Sequence, residues 1–136
     1  MAGYSGTPLP KKLGIKDGSR VALVRAPQSF RSTLGSLPDG VRVRHEARGV
    51  NDVLVFFATR RHELERRFRR LAGRIEPNGG LWIAWPKRAS GVATDLSESV
   101  VRDIGLTAGL VDNKVCAVDE VWSGLRFVYR LADRPG

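Results

Sequence analysis

The apolar residues of this chain gather into short unbroken runs, and the clearest is Leu81-Trp82-Ile83-Ala84-Trp85, set between Gly79-Gly80 and Pro86. A strand buried on one face would alternate, whereas five apolar residues in a row suit a strand covered on both faces of a mainly parallel sheet. Val53 to Ala58 is a second such run, within a strand Asp52 to Ala58. Between the two, Leu64, Phe68, Leu71, Ala72 and Ile75 recur at helical spacing, so Thr59 to Ile75 predicts a helix with Thr59 as N-cap and Pro77-Asn78-Gly79 as its stop. Strand, helix, strand in this order predicts a right-handed parallel crossover.

The same pattern extends in both directions. Arg20 to Val24 is the first strand, after the Asp17-Gly18 turn; Gln28 to Leu34 is a short helix; Val41 to Glu46 alternates Val and Arg, as an edge strand with one wet face does. Beyond Pro86 a Gly/Ser loop leads to a helix capped by Thr94 or Asp95 and running to about Leu110. Strands Asn113 to Asp119 and Leu125 to Leu131 follow, joined closely enough for an antiparallel pair. The N-terminal arm, residues 1–18, lays Leu9, Leu13 and Ile15 against the sheet after a short turn from Pro8 that Thr7 caps, and 132–136 is a frayed tail. Together these elements predict one α/β domain with a six-stranded, mostly parallel sheet in the order 2-1-3-4-6-5, strand six alone being antiparallel.

Charge adds an asymmetry that the apolar pattern does not show. Of a net +9, residues 1–75 carry 16 basic against 6 acidic side chains (+10) and residues 76–136 carry 7 against 8 (−1). Much of the excess lies on the predicted central helix, where Arg61, Arg66, Arg67, Arg69, Arg70 and Arg74 form a candidate surface for a polyanion such as nucleic acid. A solvated Arg-rich surface accounts for the same residues without a ligand, and 18 of the 23 basic residues are Arg. Cys116 stands alone in an apolar run, which reads as a small buried hydrophobe and gives no disulfide framework. No stretch has the length of a membrane span and Met1 to Pro10 lacks the apolar core of a signal peptide, so the expected location is cytoplasmic, with no membrane partner.

Candidate chemistry is sparse. Open twisted sheets take ligands beyond the carboxyl ends of their strands, where the strand order reverses. Here that crevice brings Arg25, Ala26 and Pro27 after the first strand together with Thr59 and Arg60 after the third and Pro86, Lys87 and Arg88 after the fourth. Cations beside a helix N-terminus make an anion or phosphate site. Trp82, Trp85 and Trp122 read first as core residues, and Trp122, placed in a loop, is the one expected to be exposed and joins the ligand-binding candidates. His45 and His62 lack partners at metal-ligand spacing, Ser90-Gly91 and Ser123-Gly124 belong to no nucleophile elbow, and a turn before Trp122 explains Asp119 and Glu120. No metal, cofactor or catalytic residue is assigned.

The order of elements resembles a shortened, Rossmann-like class I methyltransferase fold. More closely, K-K-L-G-I at Lys11 to Ile15, G-L-W-I-A-W-P-K at Gly80 to Lys87, A-G-L-V-D-N-K at Ala108 to Lys114 and W-S-G-L-R at Trp122 to Arg126 resemble a family of small bacterial proteins known only as a domain of unknown function. That resemblance implies a fold and brings no activity with it. The methyltransferase likeness implies an S-adenosylmethionine site at a Gly-rich turn after the first strand, and here that turn is Val24-Arg25-Ala26-Pro27, with no glycine and one backbone donor fewer. Glu46 stands where such enzymes hold an acid for the ribose, and beside Arg44 and Arg48 it also reads as a solvated charge. Two function classes follow: a non-catalytic binding module for an anionic ligand, nucleic acid or protein partner, and a diverged methyltransferase-like enzyme or nucleotide-binding protein using the strand-end crevice.

Overall fold

A computed structural model describes residues 6–133, so residues 134–136 of the predicted tail lie outside the described residues. Six strands, β1 (Arg20–Val24), β2 (Arg42–Arg44), β3 (Asn51–Phe57), β4 (Ile75–Pro86), β5 (Leu110–Ala117) and β6 (Trp122–Tyr129), form one sheet in the order β2-β1-β3-β4-β6-β5. β2, β1, β3 and β4 run parallel, and β6 is antiparallel to both β4 and β5. This is the predicted order. Four helices, α1 (Leu9–Leu13), α2 (Phe30–Leu34), α3 (Arg61–Ala72) and α4 (Glu98–Thr107), complete the layers.

The continuous apolar runs are explained by two cores, one on each face. On one face Ala22, Leu54, Phe56, Leu81, Ile83, Leu125 and Phe127 pack under α3 and α4. On the other, Val21, Leu23, Val53, Val55, Phe57, Trp82 and Ala84 pack against Leu13, Phe30 and Leu34 of the two short helices. Leu13, Ile15 and the half-buried Leu9 lie on this second core, as expected of the N-terminal arm. Trp82 pins α1 down by donating its indole N–H to the Leu13 carbonyl at 3.0 Å.

Several boundaries move for long-range reasons. Ile75, placed in the helix by its spacing, instead pairs with Asn51 and opens β4, which continues through Pro77-Asn78-Gly79 as a bulge: five steps along β4, Ile75 to Gly80, face two along β3, Asn51 to Val53. Thr59 does not cap α3. The Asp95 carboxylate, read as a cap for α4, reaches across to accept the Arg61 N–H at 2.7 Å, while Thr94 Oγ1 donates to the Thr59 carbonyl at 2.6 Å. α4 starts later, where Ser97 accepts from the Val100 N–H, and ends at Thr107. α1 carries no side-chain cap and has Pro8 rather than Thr7 at its N-cap. β5 and β6 begin earlier than predicted, which puts Trp122 on a strand. Among the described residues no helix is long and apolar enough to cross a membrane.

Candidate functional site

The turn after β1 is the first place to look, because it is where the parallel strands end and the order reverses. Arg25 occupies it at φ 60°, the only positive-φ residue other than glycine among the described residues. Its guanidinium pairs with Glu63 in the first turn of α3. A left-handed residue here does the geometric work of a glycine while carrying a side chain that glycine lacks.

The other candidates of this crevice are spread out. Arg60 is exposed at the N-cap of α3, and Thr59 is tied through its carbonyl to Thr94. The N–H of Arg61, at the helix N-terminus where an anion would sit, already receives the Asp95 carboxylate. Lys87 and Arg88 line a separate cleft of about 530 Å³ with Trp85, Thr94 and Glu98, a cleft whose walls include none of Arg25, Thr59 or Arg60. Trp122 is half-buried and packs edge-to-face on Phe57 with ring centroids 5.1 Å apart, which gives it a core contact and corrects its reading as a loop tryptophan. Arg25 meets the first turn of α3 next to Arg60, Thr59 is tied to Thr94 on the wall of the Lys87 and Arg88 cleft, and Trp122 pairs with Pro86 beside Lys87.

The polyanion candidates divide in two. Arg61 pairs with Glu65, Arg67 stacks its guanidinium over the Phe56 ring at 4.9 Å, and Arg69 donates to the Thr107 and Ala108 carbonyls at the end of α4. Arg66, Arg70 and Arg74 are exposed and make no ion pair among the described residues. Arg70 lies in the last turn of α3 and Arg74 in the turn between α3 and β4. Arg42 and Arg44 join them: Val43 between them packs on the α1–α2 core, so strand alternation turns both arginines to the α3 face.

Smaller candidates find structural partners. Asp119 Oδ1 accepts the N–H groups of Val121 and Trp122, both at 2.8 Å, and organises the β5–β6 turn. Glu46 pairs with Arg48 at 3.1 Å on the surface. Among the described residues no cluster of three His, Cys, Asp or Glu could hold a metal. Cys116 is half-buried at the edge of the second core rather than fully buried; burial pushes its thiol up, and the charges of Lys12, Lys114 and Lys87 pull the other way.

No protein-family model and no curated protein sequence matches this chain, so the resemblance to a domain-of-unknown-function family finds no support. Solved structures match its fold. A fibrillarin pre-rRNA processing protein from Methanococcus jannaschii superposes with a TM-score of 0.61 at 11% identity, over 90% of this chain and 69% of that one. A SAM-dependent methyltransferase from Aquifex aeolicus gives 0.58 at 21% identity, over 86% and 85%. Magnesium protoporphyrin IX methyltransferase from Synechocystis, with bound SAH, gives 0.53 at 13% identity, over 84% and 75%. The fold is methyltransferase-like.

Proposed function

We propose that this chain is a non-catalytic module of methyltransferase-like fold that holds a polyanion, the phosphate backbone of a nucleic acid, on the arginine face of α3 and β2. The observation that carries this reading is the set Arg42, Arg44, Arg70 and Arg74, exposed and with no carboxylate paired to them among the described residues. Cations left unpaired on one side attract phosphates and release their counterions. Contacts of this kind carry little sequence preference.

The second reading is a diverged methyltransferase-like enzyme or nucleotide-binding protein, and the fold of its structural neighbours favours it. Against it stands Arg25, which puts a side chain paired with Glu63 at the turn after β1, where a ligand's closest backbone approach would need a glycine.

Two measurements separate the readings. Fluorescence anisotropy with labelled RNA and DNA oligonucleotides should show binding at low salt that weakens by orders of magnitude between about 50 and 200 mM, with the salt slope reduced by about one for each of Arg70→Gln and Arg74→Gln. No binding at low salt, or binding indifferent to salt, refutes the polyanion reading. In parallel, a ligand at about 100 times its dissociation constant adds roughly 2.7 kcal/mol to stability, several degrees in melting temperature. The melting temperature should stay flat up to millimolar S-adenosylmethionine, and a dose-dependent rise would put the enzyme reading first.

A further inference from the structure

A cleft of about 460 Å³ lies at the opposite end of the sheet, where β1 and β3 begin, and it is lined by Lys12, Lys16, Lys114 and Arg126 together with Asp17 and Asp52. Its volume falls in the range of small-molecule sites. We propose that this cleft binds a small phosphate-bearing anion, a function separate from the arginine face of α3.

The four cations come from distant parts of the chain: Lys12 from α1, Lys16 from the loop after it, Lys114 from β5 and Arg126 from β6. Lys114 and Arg126 are direct partners in the antiparallel ladder. Like charges opposite one another across two strands destabilise the pair, and an anion between them turns that cost into an attraction. Lys12 lines the same cleft from α1.

The floor of the cleft is built to hold the guanidinium. Arg126 shares a face with Trp82, its partner on β4, and passes over Gly80, where an added Cβ would stand 2.3 Å from Arg126 Nε and 2.8 Å from its Cζ. Glycine at this position leaves the room that the guanidinium occupies. Arg126 also donates to Asn113 Oδ1 at 3.3 Å, which orients it. The β4 bulge, with its extra residues ahead of Gly80, opens the cleft at this point, and the five-residue α1 is too short to cover it.

The two acids do not cancel the field. Asp52 accepts the Arg20 N–H at 2.8 Å and lies 3.5 Å from a guanidinium that also pairs with Glu76, so two acids stand against the four cations of the cleft. Asp17 is exposed on the Asp17-Gly18 turn. The remaining balance favours an anion with at least two charges, and phosphate oxygens suit a guanidinium and ammonium groups together.

The test uses the full chain labelled with ¹⁵N and titrated with inorganic pyrophosphate at constant ionic strength. Saturable shifts should appear at Gly18, Gly79 and the Arg126 Nε–H, and Lys12→Gln and Lys114→Gln should each weaken binding about tenfold, while the Arg70→Gln/Arg74→Gln double variant binds as the parent does. Lys114→Gln should also raise the melting temperature of the free protein, because it removes the repulsion from Arg126. Shifts that grow linearly without saturation, shifts centred on α3, parent-like affinity in the Lys12 and Lys114 variants, or a lowered melting temperature for free Lys114→Gln would each overturn the proposal. Because the α3 arginines and the cleft lysines are disjoint sets, failure here is distinguishable from failure of nucleic-acid binding.

Discussion

Replacing Arg25 by glycine and, separately, by alanine isolates the backbone strain at the turn after β1. Both variants lose the ion pair with Glu63, whose worth is at most about 1 kcal/mol because the Arg25 side chain is 54% exposed. They differ only in how they tolerate φ 60°. A residue with a Cβ is strained in the left-handed region by about 1–2 kcal/mol, and glycine is not. At an ordinary position the order is reversed, since glycine loses about 0.5–1 kcal/mol more chain entropy than alanine on folding. Setting the two terms against each other, Arg25→Gly should be more stable than Arg25→Ala by up to about 1 kcal/mol, or a few degrees in melting temperature for a chain of this size. Arg25→Gly should also lie within about 1 kcal/mol of the parent, because relief of strain offsets loss of the pair. Urea and thermal unfolding followed by circular dichroism measure both differences. The sign is decisive: if Arg25→Ala proves the more stable, Arg25 is not strained and the argument that it substitutes for a glycine turn fails.

The other expectations concern the cap of α3 and the seating of α4. Asp95→Ala removes the carboxylate that accepts the Arg61 N–H and should lower stability by about 1–2 kcal/mol in urea unfolding; no change would mean that solvent caps α3 equally well. Gly105→Ala sets helix propensity, a gain of about 1 kcal/mol, against a Cβ that would stand 2.0 Å from Phe127 Cε1. Phe127 is fully buried and packs edge-to-face on Phe68, so overpacking of about 1–3 kcal/mol or more should prevail and the melting temperature should fall. Adding Phe127→Leu should restore part of the loss, and a melting temperature that rises in the single variant would contradict so close an approach of α4 to β6. The salt dependence of oligonucleotide binding and the pyrophosphate titration complete the set.

Stability and binding meet at the two ends of the sheet in different ways. At the strand-exit end Glu63 takes Arg25, and Asp95 takes the first turn of α3. At the entry end Lys114 and Arg126 face each other across the ladder.

How much of this was legible beforehand differs by layer. The runs Val21 to Val24, Val53 to Ala58 and Leu81 to Trp85 identify their strands because a parallel strand between two helical layers is apolar on both faces, which needs no knowledge of partners. The Val-Arg alternation of the second strand, the handedness of crossovers and the short β5–β6 connection then fix the sheet order. Tertiary structure decided what depends on residues far apart in the chain. Ile75 has the spacing of a helix residue and becomes a strand residue because Asn51 offers it a ladder partner. Asp95 stands at the right distance to cap its own helix and caps another, since its carboxylate meets the Arg61 N–H across the layer. Arg25 reads as a free cation until Glu63 is placed beside it. Lys12, Lys16, Lys114 and Arg126 share no local pattern, for a cleft assembled from α1, a loop and two antiparallel strands leaves no periodicity that a short stretch of sequence could carry.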